Sequence, residues 1–309
     1  MKSRLFSRAP IGPLLVGGLG LALPPVLDGG QQTIYVLFML YVVITVGLTL
    51  LMGLAGQVSL GQAAFYALGA YTAGLLAKHG VPALLALAAA PAGAAAVAAL
   101  IGVPVLRLRG HYLAFATLAF QLIVLTALAE AKPVTGGDIG LGGIPHLLPV
   151  LNAAQDNELD LNQPLYFCYV GWLAVAAVIV LTGNLVRSRP GRGLRALATS
   201  EAAAAASGVA VPGEKLKVFA ISAAYAGLAG GIYAFFLQYL SPGSFGILLS
   251  IQFLVMATVG GLGLVWGAVA GAALITLLVQ VLQMVASQPG VPKTAPAILN
   301  YAIYGMVLV

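Results

Sequence analysis

Few residues in this chain of 309 can move a proton, hold a metal or attack a carbonyl, and they are dispersed. His79, His111 and His146 stand far apart, and none belongs to a His-Glu-x-x-His pair. Paired carboxylates for acid and base work are missing from the apolar stretches. The three histidines are expected at interfaces or in loops, and no catalytic residue, metal or other cofactor is expected. Cys168 is the single cysteine, so neither an intrachain disulfide nor a cysteine-based cluster can form; its apolar setting predicts a buried, inert thiol. Ion-coupled carriers and pumps place charged side chains within the bilayer, whereas here Lys78, His79 and Glu130 sit only at the ends of apolar runs. No Gly-x-x-x-x-Gly-Lys-Ser/Thr phosphate loop occurs either. If this chain moves a solute uphill, the energy must come from an ATPase on another subunit.

Two sets of residues remain as candidates. Gln57, Ser59, Gln62, Thr117, Gln121 and Gln252 are uncharged polar groups in or beside apolar runs. They can line a translocation pathway, or they can hydrogen-bond one helix to another. A helix N-terminus at a broken span would also attract a carboxylate without a fixed cation. The second set lies in the basic connection between Arg187 and Lys215. There Thr199 or Ser200 can cap a helix, Glu201 suits the positive end of its dipole, Ala202 and Ala203 open a run of strong helix formers, and Gly208 can end it in the left-handed conformation. The predicted helix of about two turns is marginal alone, so it must pack on its own protein or on a partner. Arg187, Arg189, Arg192 and Arg195 either enforce topology at lipid phosphates or join that docking surface.

The elements that must position these groups follow from composition. Hydrophobic residues make up 61% and charged residues 7%, with a mean hydropathy of +1.03, against roughly 25% charge in a soluble domain. Apolar runs fall near residues 11–27, 33–55, 58–77, 81–105, 111–129, 165–186, 216–239, 248–264, 265–287 and 297–309. They predict an all-α polytopic bundle of roughly ten spans in one membrane domain covering 1–309. The first run follows Lys2, Arg4 and Arg8 like a signal peptide, but no small-x-small cleavage site follows it, so it is expected to stay as a first span. The last run is shorter than a full span, which predicts a natural chain extending past Val309.

With the N-terminus inside, 11 of the 14 Lys and Arg residues fall on the inner side, so both termini are expected in the cytoplasm. The net charge of +6 therefore marks topology, with no basic surface for nucleic acid. The two longer connections, a periplasmic loop at about 130–164 and a cytoplasmic loop at about 187–215, are the faces open to soluble partners. Glycines after Gly56 and from Gly260 to Gly263 mark two places where a span is expected to break or re-enter. Small residues at four-residue spacing, Ala63 and Ala67, Ala70 and Gly74, and Gly263, Gly267 and Gly271, allow close helix contact within one subunit or between subunits.

The stretch Gly53-Leu-Ala-Gly-Gln-Val-Ser-Leu-Gly-Gln-Ala-Ala-Phe-Tyr-Ala-Leu-Gly-Ala-Tyr71 resembles the signature of the M-type permeases of branched-chain amino acid ATP-binding-cassette transporters, the LivM family. Leu106-Arg-Leu-Arg-Gly-His-Tyr-Leu-Ala-Phe-Ala-Thr-Leu118, the Thr135-Gly-Gly run, Gly191-Arg-Gly-Leu-Arg-Ala196, Ser241-Pro-Gly-Ser-Phe-Gly246 and Gly260-Gly-Leu-Gly263 look like that family in the same order. The resemblance implies a permease of the bacterial inner membrane that carries branched-chain or related apolar amino acids by alternating access. It implies an H-type permease partner, two ATPase subunits beneath, and a periplasmic substrate-binding protein. Glu201 to Gly208 falls where such permeases place the helix that meets the ATPase, although the alanine run departs from the more acidic segment of many members. Urea, amide and broader amino-acid permeases share these motifs, so they remain alternatives for the substrate. An ion-coupled carrier and a membrane enzyme or scaffold are the competing classes.

Overall fold

The computed structural model describes residues 20, 22–108, 110–147 and 163–286. They form a helical bundle, the form in which a chain in hydrocarbon satisfies its own backbone. In chain order the helices are α1 (Gly29–Ala55), α2 (Gln62–Lys78), α3 (Ala83–Val105), α4 (His111–Glu130), α5 (Lys132–Thr135), α6 (Gln163–Arg187), α7 (Arg189–Thr199), α8 (Glu201–Ala206), α9 (Val211–Leu237), α10 (Ile247–Gly260) and α11 (Val265–Ala286). Among the described residues seven stretches are long and apolar enough to cross a membrane: α1, α3, α4, α6, α9, α11 and Pro242–Gly260, which contains α10. The expected spans at 11–27 and 297–309 lie outside the described residues. Helix α2 has 17 residues, about 25 Å of rise, which is short of the roughly 30 Å of hydrocarbon.

Helices α1 and α9 are the most enclosed of the long helices, and α3 is the least. Glycine explains how α9 fits between its neighbours. A methyl on Gly227 would lie 2.5 Å from the Ala94 Cβ, and one on Gly231 would lie 2.8 Å from the Ala90 Cβ. On the other flank Gly69 abuts Gly227, and Gly230 abuts the Tyr66 carbonyl. The facing stripe of α3 is Ala86, Ala90, Ala94, Ala98 and Gly102, all buried at intervals of four, while Leu84, Leu85 and Leu100 project outward. With side chains this small, the contact rests on dispersion between close backbones. The small residues of α2 and of the Gly263–Gly271 series pack within this subunit: Gly267 meets Gly260, and Gly271 meets the Met256 carbonyl.

The bundle has two distinct ends. At one, the basic end, the glycine turn between α10 and α11 lies against Gly53 near the end of α1, and α7 and α8 lead into α9. At the other, a two-stranded antiparallel ribbon pairs Leu141–Gly142 with Tyr239–Leu240, the one addition to an otherwise helical fold among the described residues. Tyr239 donates its hydroxyl to the Ile139 carbonyl, and Gln238 hydrogen-bonds His146 at 3.0 Å. The glycine-rich loop is thereby clamped to the far end of α9.

Candidate functional site

Helix α1 ends at Gly56 in the left-handed conformation, φ 62°, which glycine reaches without steric cost. The chain then runs without helical structure through Gln57–Gly61 before α2 begins. Gln57, Ser59 and Gly61 are buried while Gly56 and Val58 are exposed, an alternation of the kind an extended chain produces. This break ends deep in the protein. Gly61 lies against Thr117, in the second turn of α4, and Gln62 meets Ser222, three turns into α9.

Side chains from two other helices, α4 and α10, satisfy the backbone that the break frees, and a third, α9, holds the Gln62 side chain. The Leu60 amide donates to Thr117 Oγ1 at 2.9 Å, and Thr117 donates in turn to the Ala114 carbonyl at 2.9 Å. The Ala63 amide, in the first turn of α2, donates to Ser250 Oγ of α10 at 2.9 Å. Ser250 then donates to Gln121 Oε1 at 2.5 Å, and Gln121 Nε2 donates to the Phe245 carbonyl at 3.2 Å. Gln62 Nε2 donates to Ser222 Oγ at 2.8 Å, and the Gly61 amide to Ser59 Oγ at 3.3 Å. Above this network Tyr66 sits among Tyr233, Phe245 and Phe253, with ring centroids 5.2, 5.2 and 6.2 Å away.

Of the six polar candidates, Ser59, Gln62, Thr117 and Gln121 gather around residues 59–63. Gln57 is buried beside them, its Oε1 without a hydrogen-bond partner. Gln252 is half-buried on α10 and makes no side-chain hydrogen bond in this network. Sequence reasoning passed over Ser222 and Ser250, although each is a hydroxyl set in an apolar run, the same signal that singled out Thr117. The second glycine-rich place, Gly260–Gly263, is a tight turn between α10 and α11. Gly261 and Gly263 adopt φ of 93° and 79°, and the Gly261 amide returns to the Thr258 carbonyl at 3.1 Å.

The second candidate set forms a different surface. Ser200 caps α8, accepting from the Ala203 amide at 3.3 Å, while Thr199 bonds back to the Arg195 carbonyl. Gly208 comes just after the helix with φ 82°. Of the residues of α8 only Ala204 is buried; Glu201, Ala202 and Ala203 are exposed. Lys215 of α9 forms an ion pair with Glu201. Helix α7 was not foreseen, although Ser188 before Pro190 and the spacing of Leu194 and Leu197 carry the signal of a capped amphipathic helix. Ser188 accepts from the Gly191 amide at 3.3 Å, and Leu194 and Leu197 are buried. Arg192 is exposed, and Arg195 is half-buried with its Nε on the Gly191 carbonyl at 3.4 Å. Among the described residues neither arginine makes an ion pair.

Residues 32–309 match the model of a family described as branched-chain amino acid transport system / permease component. The "High-affinity branched-chain amino acid transport system permease protein LivM" of Escherichia coli K12 is 35% identical over 280 residues, covering 85% of this chain and 64% of that protein. The protein of the same name from Salmonella typhimurium LT2 is 33% identical over 296 residues, covering 90% of this chain and 68% of its own length. The chain thus spans about two thirds of the length of these relatives. No solved structure matches it. A helical bundle with a non-helical stretch and a buried polar network between α1 and α2, matched along nearly its whole length, belongs to the family of branched-chain amino acid transport permeases.

Proposed function

We propose that this chain is the membrane-spanning subunit of an ATP-driven importer and carries branched-chain or related apolar amino acids across a bacterial inner membrane. The observation that carries this reading is the non-helical stretch Gly56–Gly61, which is tied to α4 directly and to α10 through the first turn of α2, and whose outer side exposes Gly56 and Val58. Irregular backbone at membrane depth is tolerated only where it is buried in protein or lines a watery cavity. The exposed edge therefore faces a pathway, completed by a second permease subunit of the H type. An amino-acid carboxylate would be drawn to the positive end of α2 there, and the buried, unpartnered Gln57 Oε1 would accept from its ammonium group once the break opens toward the pathway.

The basic end faces the cytoplasm in this reading, together with both termini, across roughly ten spans. There the exposed alanines of α8, flanked by Arg192 and Arg195, dock on one of two ATPase subunits. The opposite end, with the ribbon and the loop at 130–164, receives a periplasmic binding protein. Closure of the ATPase pair exchanges outward-open and inward-open states.

The test is to purify the native complex, identify its ATPase and binding protein, and reconstitute all subunits in proteoliposomes. Leucine uptake is expected only with ATP inside and the binding protein outside. Uptake by this chain alone under an ion gradient, or full uptake without the ATPase, would overturn the reading.

A further inference from the structure

Lys215 is the outlier among the charges at the basic end. Its side chain is only 11% exposed, while that of Lys217, one residue beyond Leu216, is 62% exposed. A charge withdrawn from water is costly unless paired, and its partner is Glu201, the first residue of α8. That helix has little else to hold it, since Ala204 alone is buried and a helix so short is marginal by itself. Lys215 and Ser222 are seven residues apart on α9, two helical turns along one face. Ser222 accepts the hydrogen bond from Gln62, which opens α2 directly after the non-helical stretch. Gln62 Oε1 has no partner, so this one bond ties its side chain to α9. Ser222 also lies against Gly47 of α1, so it is wedged between the two helices that flank the break.

We propose that the Glu201–Lys215 pair is a strut that makes α8 move with α9, and that the Ser222–Gln62 bond passes this motion to the break at the head of α2. The inference rests on the reading of α8 as the ATPase-docking helix. The sequence suggests Glu201 as a contact for the partner; the structure assigns it to its own chain, with Lys215 as a positioning residue.

The test uses the reconstituted complex of all subunits and measures leucine taken up per ATP hydrolysed. In parallel, a cysteine placed at Ala202 is cross-linked to the ATPase to report docking. Glu201→Lys and Lys215→Glu are each expected to lower uptake per ATP by about tenfold while hydrolysis and the cross-link persist. The double reversal Glu201→Lys/Lys215→Glu is expected to restore coupling, and Lys217→Gln to leave it unchanged. Ser222→Ala is expected to uncouple in the same way with the cross-link intact. Should a reversal prevent assembly, Lys215→Arg and Lys215→Met make the comparison, with only the arginine expected to couple. Normal coupling in the single reversals, failure of the double to rescue, or equal coupling in the arginine and methionine variants would overturn the strut. Failure of the cross-link in the unaltered complex would instead sink the docking reading beneath it.

Discussion

Gly56–Gly61 and Gly260–Gly263 begin alike, as glycine-rich interruptions of apolar sequence, and the second packs on Gly53, three residues before the first. Their backbones are satisfied in opposite ways. The turn between α10 and α11 closes on itself: the Gly261 amide returns to Thr258 and the Leu264 amide to Gly261. The break after α1 borrows partners from other helices, Thr117 from α4 and Ser250 from α10. A glycine run thus permits a bend but does not set the conformation of the chain beyond it. The neighbours do: Gln57, Ser59 and Gln62 flank the first interruption, whereas Leu262, Leu264 and Val265 flank the second. Polar flanks can hold an unwound chain inside protein, while apolar ones return the chain to helix at once.

The largest expected effect sharpens this contrast on the closed side. Gly271→Ala places a methyl against the Met256 carbonyl and the Gly260 backbone, and should cost about 3 kcal/mol, read as a lower melting temperature of the purified protein in detergent. On the borrowed side, Ser250→Ala leaves the Ala63 amide and Gln121 Oε1 without their partner. A loss of about 1–3 kcal/mol is expected in the same assay, and uptake should fall with it. If Ser250→Ala melts like the unaltered protein, the break needs no borrowed partner and the contrast collapses.

Gln57→Leu separates structure from use. Its Oε1 has no partner to lose, so stability should change by less than about 1 kcal/mol. Leucine uptake should nevertheless drop; unchanged uptake would remove Gln57 from the pathway. The smallest effect is expected at the basic end, where the exposed Arg192, changed to Gln, should stay within about 0.5 kcal/mol in melting. A shift well beyond that would show that the arginine packs on its own subunit and is not a free docking group.

Much of the fold was legible because hydropathy and the obligation to satisfy backbone in lipid leave few forms. The helix cores of α1, α3, α4, α6 and α9 fall on the expected apolar runs. The features that were not legible depend on partners distant in sequence. Nothing near Ser250 announces that its hydroxyl meets Ala63, 187 positions away, and nothing near Glu201 announces Lys215. The cap at Ser200 and the left-handed Gly208 could be read because their geometry is local. Helix α7 was local as well; its basic residues drew attention to charge and away from the Leu194 and Leu197 pair.

The ribbon at the far end bears on how the protein is made. Leu141 precedes its partner Leu240 by four helices among the described residues, and chains are completed from the N-terminus onward. The loop with left-handed Gly136, Gly137, Gly140 and Gly143 therefore lacks its template until α9 has been inserted. Closing so long a loop carries an entropic cost before any contact repays it. Formation of the ribbon is thus a late event, a seal between the earlier and later parts of the bundle that only a chain inserted through α9 can close.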